Sequence, residues 1–135
     1  MLLDVFLFFD GDCREAVGFY SNSFGLIQPI LMTYGQNPTG CPEEDMDRIL
    51  YAMLPVCGSN MMFSDCPSGT PYVKGTNFSV TLGIEDEDEL RRVFTALSDG
   101  GEVNMPLNPT FFSPLFGMLT DKFGIIWQLS LPAAL

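Results

Sequence analysis

Apolar positions follow two different periods along this chain, and the change from one period to the other happens twice. Residues 2–9 are dense in Phe, Val and Leu, the composition of a buried strand. After Asp10-Gly11 the spacing lengthens. Ala16, Phe19, Tyr20 and Ser23 recur at helical intervals before Gly25, with Asp12 at the cap position and Glu15 three residues on, so a helix is expected over 12–24. The second passage has the same form: a strand over 76–84, then a helix over 86–99 that carries Leu90, Val93, Phe94 and Leu97 on one face. Asp86 is its cap, Glu89 stands three residues on, and Gly100-Gly101 ends it.

Asp12 and Asp86 stand 74 residues apart, as do Glu15 and Glu89, which marks an internal repeat. Each helix is followed by three further strand candidates, at 26–34, 48–55 and 59–64, and again at 102–107, 115–120 and 125–131. Glycine and proline separate them. A polar loop covers 35–47, and a Pro/Gly-rich link covers 65–75. The expectation is one α+β domain over 1–135 made of two βαβββ modules, 1–70 and 71–135. In the strand before the second helix, Phe78, Val80, Leu82 and Ile84 share one face and Asn77, Ser79 and Thr81 the other. That polar side lines a ligand site or faces solvent; alternation alone fits both.

Composition narrows the partners. The chain has 135 residues, enough for a core without disulfides or metals, and 47% of them are hydrophobic. Its net charge of -11 has the wrong sign for gripping nucleic acid or an anionic membrane surface, so neither is expected as a partner. Cys13, Cys41, Cys57 and Cys66 form no CxxC pair, and the chain has no histidine to complete a zinc set, so idle thiols are expected. The start has no basic region, and its apolar stretch stops at Asp10. No signal peptide or membrane anchor is expected, and a reducing cytoplasm fits. Cys13 falls in the first turn of a helix, where the dipole favours a thiolate, but Asp10, Asp12 and Glu15 oppose it. The acidic run 85–89 reads as a solvated helix cap.

Several segments, in order, resemble the vicinal oxygen chelate superfamily of glyoxalases, bleomycin-resistance proteins and dioxygenases, specifically its PhnB-like or demethylubiquinone-methyltransferase-like branch. They are Phe9-Asp10-Gly11-Asp12-Cys13-Arg14-Glu15-Ala16, Phe19-Tyr20, Phe24-Gly25, Leu31-Met32-Thr33-Tyr34-Gly35 and Met62-Phe63-Ser64-Asp65. The second half adds Gly100-Gly101-Glu102-Val103, Met105-Pro106-Leu107, Phe116-Gly117-Met118, Thr120-Asp121-Lys122-Phe123-Gly124 and Trp127. The resemblance implies curved mixed sheets enclosing a cleft, commonly in a homodimer. It does not carry methyl transfer with it, because no glycine-rich strand-to-helix turn for an adenosyl cofactor is present.

In that superfamily's enzymes the first and last strands of each module donate His, Glu or Gln to a divalent metal. The matching positions here fall near Leu3, Met62, Asn77 and Gln128, none of them a carboxylate or an imidazole. No cofactor is therefore expected, and a divalent metal is disfavoured. The expected function is metal-independent binding of a small molecule in an apolar cleft. Tyr51, Asn77, Ser79, Thr81 and Gln128 serve as polar handles, and Phe112, with Phe111, Phe116 and nearby methionines, as apolar wall. Two alternatives stay open: a metal-dependent lyase, isomerase or oxygenase that recruits Asp65, Glu44 or Asp121, and a dimeric structural or regulatory protein.

Overall fold

Both helices form where the period changes, and each buries the face its spacing predicts. The computed structural model describes residues 1–132, and the chain divides into two units, Met1–Val73 and Lys74–Leu135. The first contains β1 (Val5–Phe9), α1 (Cys13–Phe24), β2 (Met32–Thr33), β3 (Ile49–Val56) and β4 (Ser59–Asp65). The second contains β5 (Val80–Gly83), α2 (Glu87–Ser98), β6 (Glu102–Asn108), β7 (Phe116–Thr120) and β8 (Ile126–Ser130). Each is a βαβββ module with a four-stranded mixed sheet, ordered β1-β4-β3-β2 in one and β5-β8-β7-β6 in the other. First and last strands pair in parallel, and the remaining pairs are antiparallel.

In the first unit Cys13, Ala16, Val17 and Tyr20 are buried, as are Leu7, Phe9, Ala52, Leu54, Met61 and Phe63 on the sheet face that α1 covers. The Tyr20 ring stacks on Phe63 at 5.9 Å. In the second, Leu90, Val93, Phe94 and Leu97 are buried with Leu82, Leu119, Trp127 and Leu129. Gly117 lets α2 sit close: a Cβ there would lie 2.8 Å from the Phe94 ring and 2.9 Å from Leu107.

Two expected strands are shorter than their composition suggests. Of 26–34 only Met32–Thr33 pairs, because Pro29 has no N–H to give a ladder and Ile27 and Ile30 lie exposed beside it. Of 76–84 only Val80–Gly83 pairs, since the β8 ladder begins at Trp127, opposite Val80. The two-residue β3–β4 turn, Cys57-Gly58, has both φ values positive, at 51° and 80°, which suits the right-handed twist of a tight hairpin.

The caps differ from the sequence expectation. Neither Asp12 nor Asp86 makes a side-chain cap bond. Asp65, at the end of β4, does the work for α1: its Oδ1 accepts from the N–H of Gly11 at 2.8 Å and of Cys13 at 3.1 Å, while Oδ2 accepts from the N–H of Ile49 at 2.8 Å. A long-range carboxylate thus replaces the local one.

This placement settles the chemistry of Cys13. Burial, and then the negative charges of Asp65 and Asp12, push its thiol well above the ordinary cysteine range. Both effects disfavour a thiolate at this helix start at neutral pH. Cys57, by contrast, is exposed. In native protein at pH 7.5 a maleimide should modify Cys57 within minutes and Cys13 only on unfolding. Peptide mapping after a short pulse checks this, and labelled Cys13 in folded protein would refute it.

Candidate functional site

Each helix covers one face of its sheet, so the ligand question falls on the other face. On that face of the first sheet the registered neighbours Phe6, Met62 and Met53 form one row, and Tyr51 with Met32 belongs to the next. Phe6, Phe8, Tyr51 and Met53 are 39%, 55%, 39% and 40% exposed, so this is an apolar surface with one phenol on it. The Tyr51 ring lies 6.3 Å from Phe6, which itself stacks on Phe8 at 4.9 Å.

The same face of the second sheet is different. Thr81, Gln128, Met118 and Met105 follow one another across β5, β8, β7 and β6. Gln128 donates from Nε2 to Ser79 Oγ at 2.9 Å. Three of the expected handles, Ser79, Thr81 and Gln128, therefore come together. On the same face Phe116 packs edge-on against Phe112 at 5.0 Å, and Phe112 against Phe111 at 5.2 Å. A polar corner thus adjoins a thioether and aromatic wall within one unit.

Asn77 does not join this group; it lies exposed ahead of β5. Leu3, 91% exposed, likewise precedes β1. Asn77 has the parity of Ser79 and Thr81 and is left out because the ladder starts only at Val80, whereas for Leu3 the reason is a shift of register. Leu7 and Phe9 are buried on the helix side and so is Leu82, which makes the repeat interval odd in the strands although it is 74 in the helices. One residue of slip turns every side chain to the opposite face. The cross-strand neighbour of Met62 is Phe6, and that of Gln128 is Thr81.

The corrected positions can be tested for a metal. On the helix-distal face of the first and last strands stand Phe6, Phe8, Asn60, Met62, Ser64, Thr81, Gln128 and Ser130, with no carboxylate or imidazole among them. This donor set does not fit a divalent cation, which needs anionic or imidazole ligands to replace its water. The reserve carboxylates are committed elsewhere or isolated. Both oxygens of Asp65 accept backbone N–H groups. Asp121 Oδ1 accepts from Phe123 and Ile125, and its Oδ2 from the Trp127 indole. Glu44 is exposed in a 3-10 turn of the first unit. Among the described residues no group of three or more His, Cys, Asp or Glu could hold a metal ion.

These two carboxylates are the residues that sequence reasoning missed as structural centres. In the sequence Asp65 is the end of a strand motif and Asp121 the start of a terminal turn, and both read as reserve metal ligands rather than as acceptors of backbone N–H groups. Arg48 is also engaged: it binds Asp10 at 3.0 Å, lies 3.6 Å from Asp45 and donates to the Cys66 carbonyl at 2.8 Å. It is not available to a ligand's anion.

Two βαβββ modules of this topology define the glyoxalase/bleomycin-resistance fold. The fosfomycin resistance protein FosX from Listeria monocytogenes has it too, at TM-score 0.64 and 12% identity over 98% of this chain and 91% of that one. More particularly, residues 3–130 match the family described as 3-demethylubiquinone-9 3-methyltransferase, and the chain belongs to that family. It is 30% identical to protein YjdN of Escherichia coli K12, over 96% of this chain and 95% of that protein. Among solved structures it resembles protein PA1353 of Pseudomonas aeruginosa, with 35% identity, TM-score 0.87 and 96% of each chain covered. A putative 3-demethylubiquinone-9 3-methyltransferase, PhnB protein, from Bacillus cereus shares 28% identity at TM-score 0.74, over 96% of this chain and 98% of that one. No described helix is long and apolar enough to cross a membrane.

Proposed function

We propose that this PhnB-like chain is a vicinal oxygen chelate protein that binds a small organic molecule without a metal ion, on the helix-distal face of its second sheet. One observation carries the reading: the strand positions where the superfamily's enzymes place metal ligands hold neutral side chains, and in the second unit they form the Ser79, Thr81 and Gln128 corner beside Met118, Phe116 and Phe112. Amides and hydroxyls fix orientation, while thioethers and aromatic rings accept varied apolar shapes.

Methyl transfer is not part of this proposal. The strand-to-helix turns are Asp10-Gly11-Asp12 and Ile84-Glu85-Asp86, with a single glycine in place of the glycine-rich run that lets a backbone approach an adenosyl cofactor, and a carboxylate already occupies the start of α1. The proposal includes a homodimer, for which the half-exposed apolar face of the first sheet supplies a surface. It also includes a cytoplasmic location, supported by four cysteines that are all free.

The test is a thermal-shift screen of millimolar aromatic amides, amines and alcohols on chelator-treated protein. A ligand at ten times its Kd should add about 1.4 kcal/mol, or several degrees in Tm, and the response should survive chelation. A stoichiometric divalent metal that resists dialysis, with stabilisation lost on its removal, would sink the metal-free reading.

A further inference from the structure

The hydrogen-bonding state of the polar corner says what kind of ligand it takes. Gln128 spends one of its two amide hydrogens on Ser79, which leaves Oε1 as an acceptor without a protein donor among the described residues. Because Ser79 Oγ receives that bond, its own hydrogen is free to donate outward, and Thr81, the cross-strand neighbour of Gln128, adds a second uncommitted hydroxyl. The corner therefore offers the Gln128 carbonyl as acceptor beside two hydroxyl donors and the second Gln128 amide hydrogen.

Charge narrows the choice further. The four cations of the second unit have their contacts outside the corner. Arg91 and Arg92 lie on α2 beside Glu87 and Glu89, Lys122 sits over the Phe123 ring in the β7–β8 turn, and Lys74 lies against Gly124 of that turn. An anionic ligand would find no cation bonded to Ser79, Thr81 or Gln128 among the described residues, and a chain of net charge -11 around it. Among the described residues no carboxylate bonds to the corner either, and Glu102, opposite Thr120 at the end of β6, is two strands removed from Gln128.

We infer that the site selects an uncharged ligand presenting an N–H donor next to a carbonyl acceptor, as a lactam or secondary amide does, on a flat apolar body. The N–H donates to Gln128 Oε1, the carbonyl accepts from Ser79 or Thr81, and the ring lies along Met118 with Phe116 and Phe112 at its edge. This assignment rests on the small-molecule reading above but is narrower, since a non-specific apolar surface would ignore both the donor and the charge.

Oxindole carries the proposed pair of groups, and N-methyloxindole lacks only the donor. Phenylphosphonate and benzoate keep an aromatic ring but are anions. Titrated by calorimetry into the full chain, oxindole should bind, N-methyloxindole about tenfold more weakly, and the two anions not measurably. Gln128→Met, which keeps the length and removes the acceptor, should weaken oxindole about tenfold and leave N-methyloxindole nearly unchanged. Ser79→Ala, with an unaltered strand, should also weaken oxindole and serves as a second variant. Equal binding of the two oxindoles, or tighter binding of phenylphosphonate, overturns the ligand class and leaves small-molecule binding standing. If neither oxindole binds, the ligand class falls; if the wider aromatic panel fails as well, the proposed function falls with it.

Discussion

Replacing Asp65 with alanine is expected to cost about 3–5 kcal/mol of folding stability, the range for removing a buried charged partner. The carboxylate is 1% exposed and holds three backbone N–H groups from three places in the first unit: Gly11 before α1, Cys13 at its start and Ile49 at the start of β3. Alanine leaves all three donors without an acceptor, each costing about 1–3 kcal/mol, and removes the negative charge from the positive end of the helix. Asp65→Asn should fall between. Its Oδ1 can keep Gly11 and Cys13, but its amide must then face the Ile49 N–H, two donors head to head. Guanidinium unfolding of the three proteins checks the order, and a loss below about 1 kcal/mol for alanine would contradict the cap assignment.

Asp121→Ala is expected to cost a comparable amount, about 3–5 kcal/mol, in the second unit. Asp121 is 3% exposed and accepts at 2.9 and 3.0 Å from the N–H groups of Phe123 and Ile125, which shape the β7–β8 turn, and at 2.8 Å from the Trp127 indole. Trp127 is the chain's single tryptophan and is fully buried, next to Gln128 on β8. The variant should therefore show a changed native emission spectrum as well as lower stability, because the indole N–H loses its acceptor. Asp65→Ala should leave that emission as it was. A variant of Asp121 with parental emission and stability would mean that the turn is held by other contacts.

Cys13 shows how much of this is invisible along the chain. Its place in a first helical turn, where the dipole favours a thiolate, and the opposing Asp10, Asp12 and Glu15 are readable from the sequence, and an idle thiol is the expectation. The outcome depends on Asp65, 52 residues away, and on complete burial, and both act against the thiolate. The helix caps follow the same logic. Asp12 and Asp86 satisfy the local rule, yet the bonds to the start of α1 come from the end of β4.

The candidate site divides in a similar way. Alternation over 77–84 places Ser79 and Thr81 on one side, and that is how they lie. The Gln128 bond to Ser79 is not legible, because a contact across 49 residues exists only once β5 and β8 are paired. Asn77 has the parity of Ser79 and Thr81 but lies ahead of the paired segment, whereas Leu3 has the parity of the helix side for a definable reason. The helix repeat was carried into the strands, where an even interval exchanges the two faces.

By itself, the sequence determined two repeats of strand, helix and three strands, the buried faces of both helices and the lack of imidazole for a metal site, because these depend on local period and residue chemistry. The tertiary structure alone decided strand register, the partners of Asp65 and Asp121, the burial of Cys13 against Asp65 and the meeting of Ser79, Thr81 and Gln128. Each of those is a pairing between distant segments, and period within one segment carries no information about which residue of another it will face.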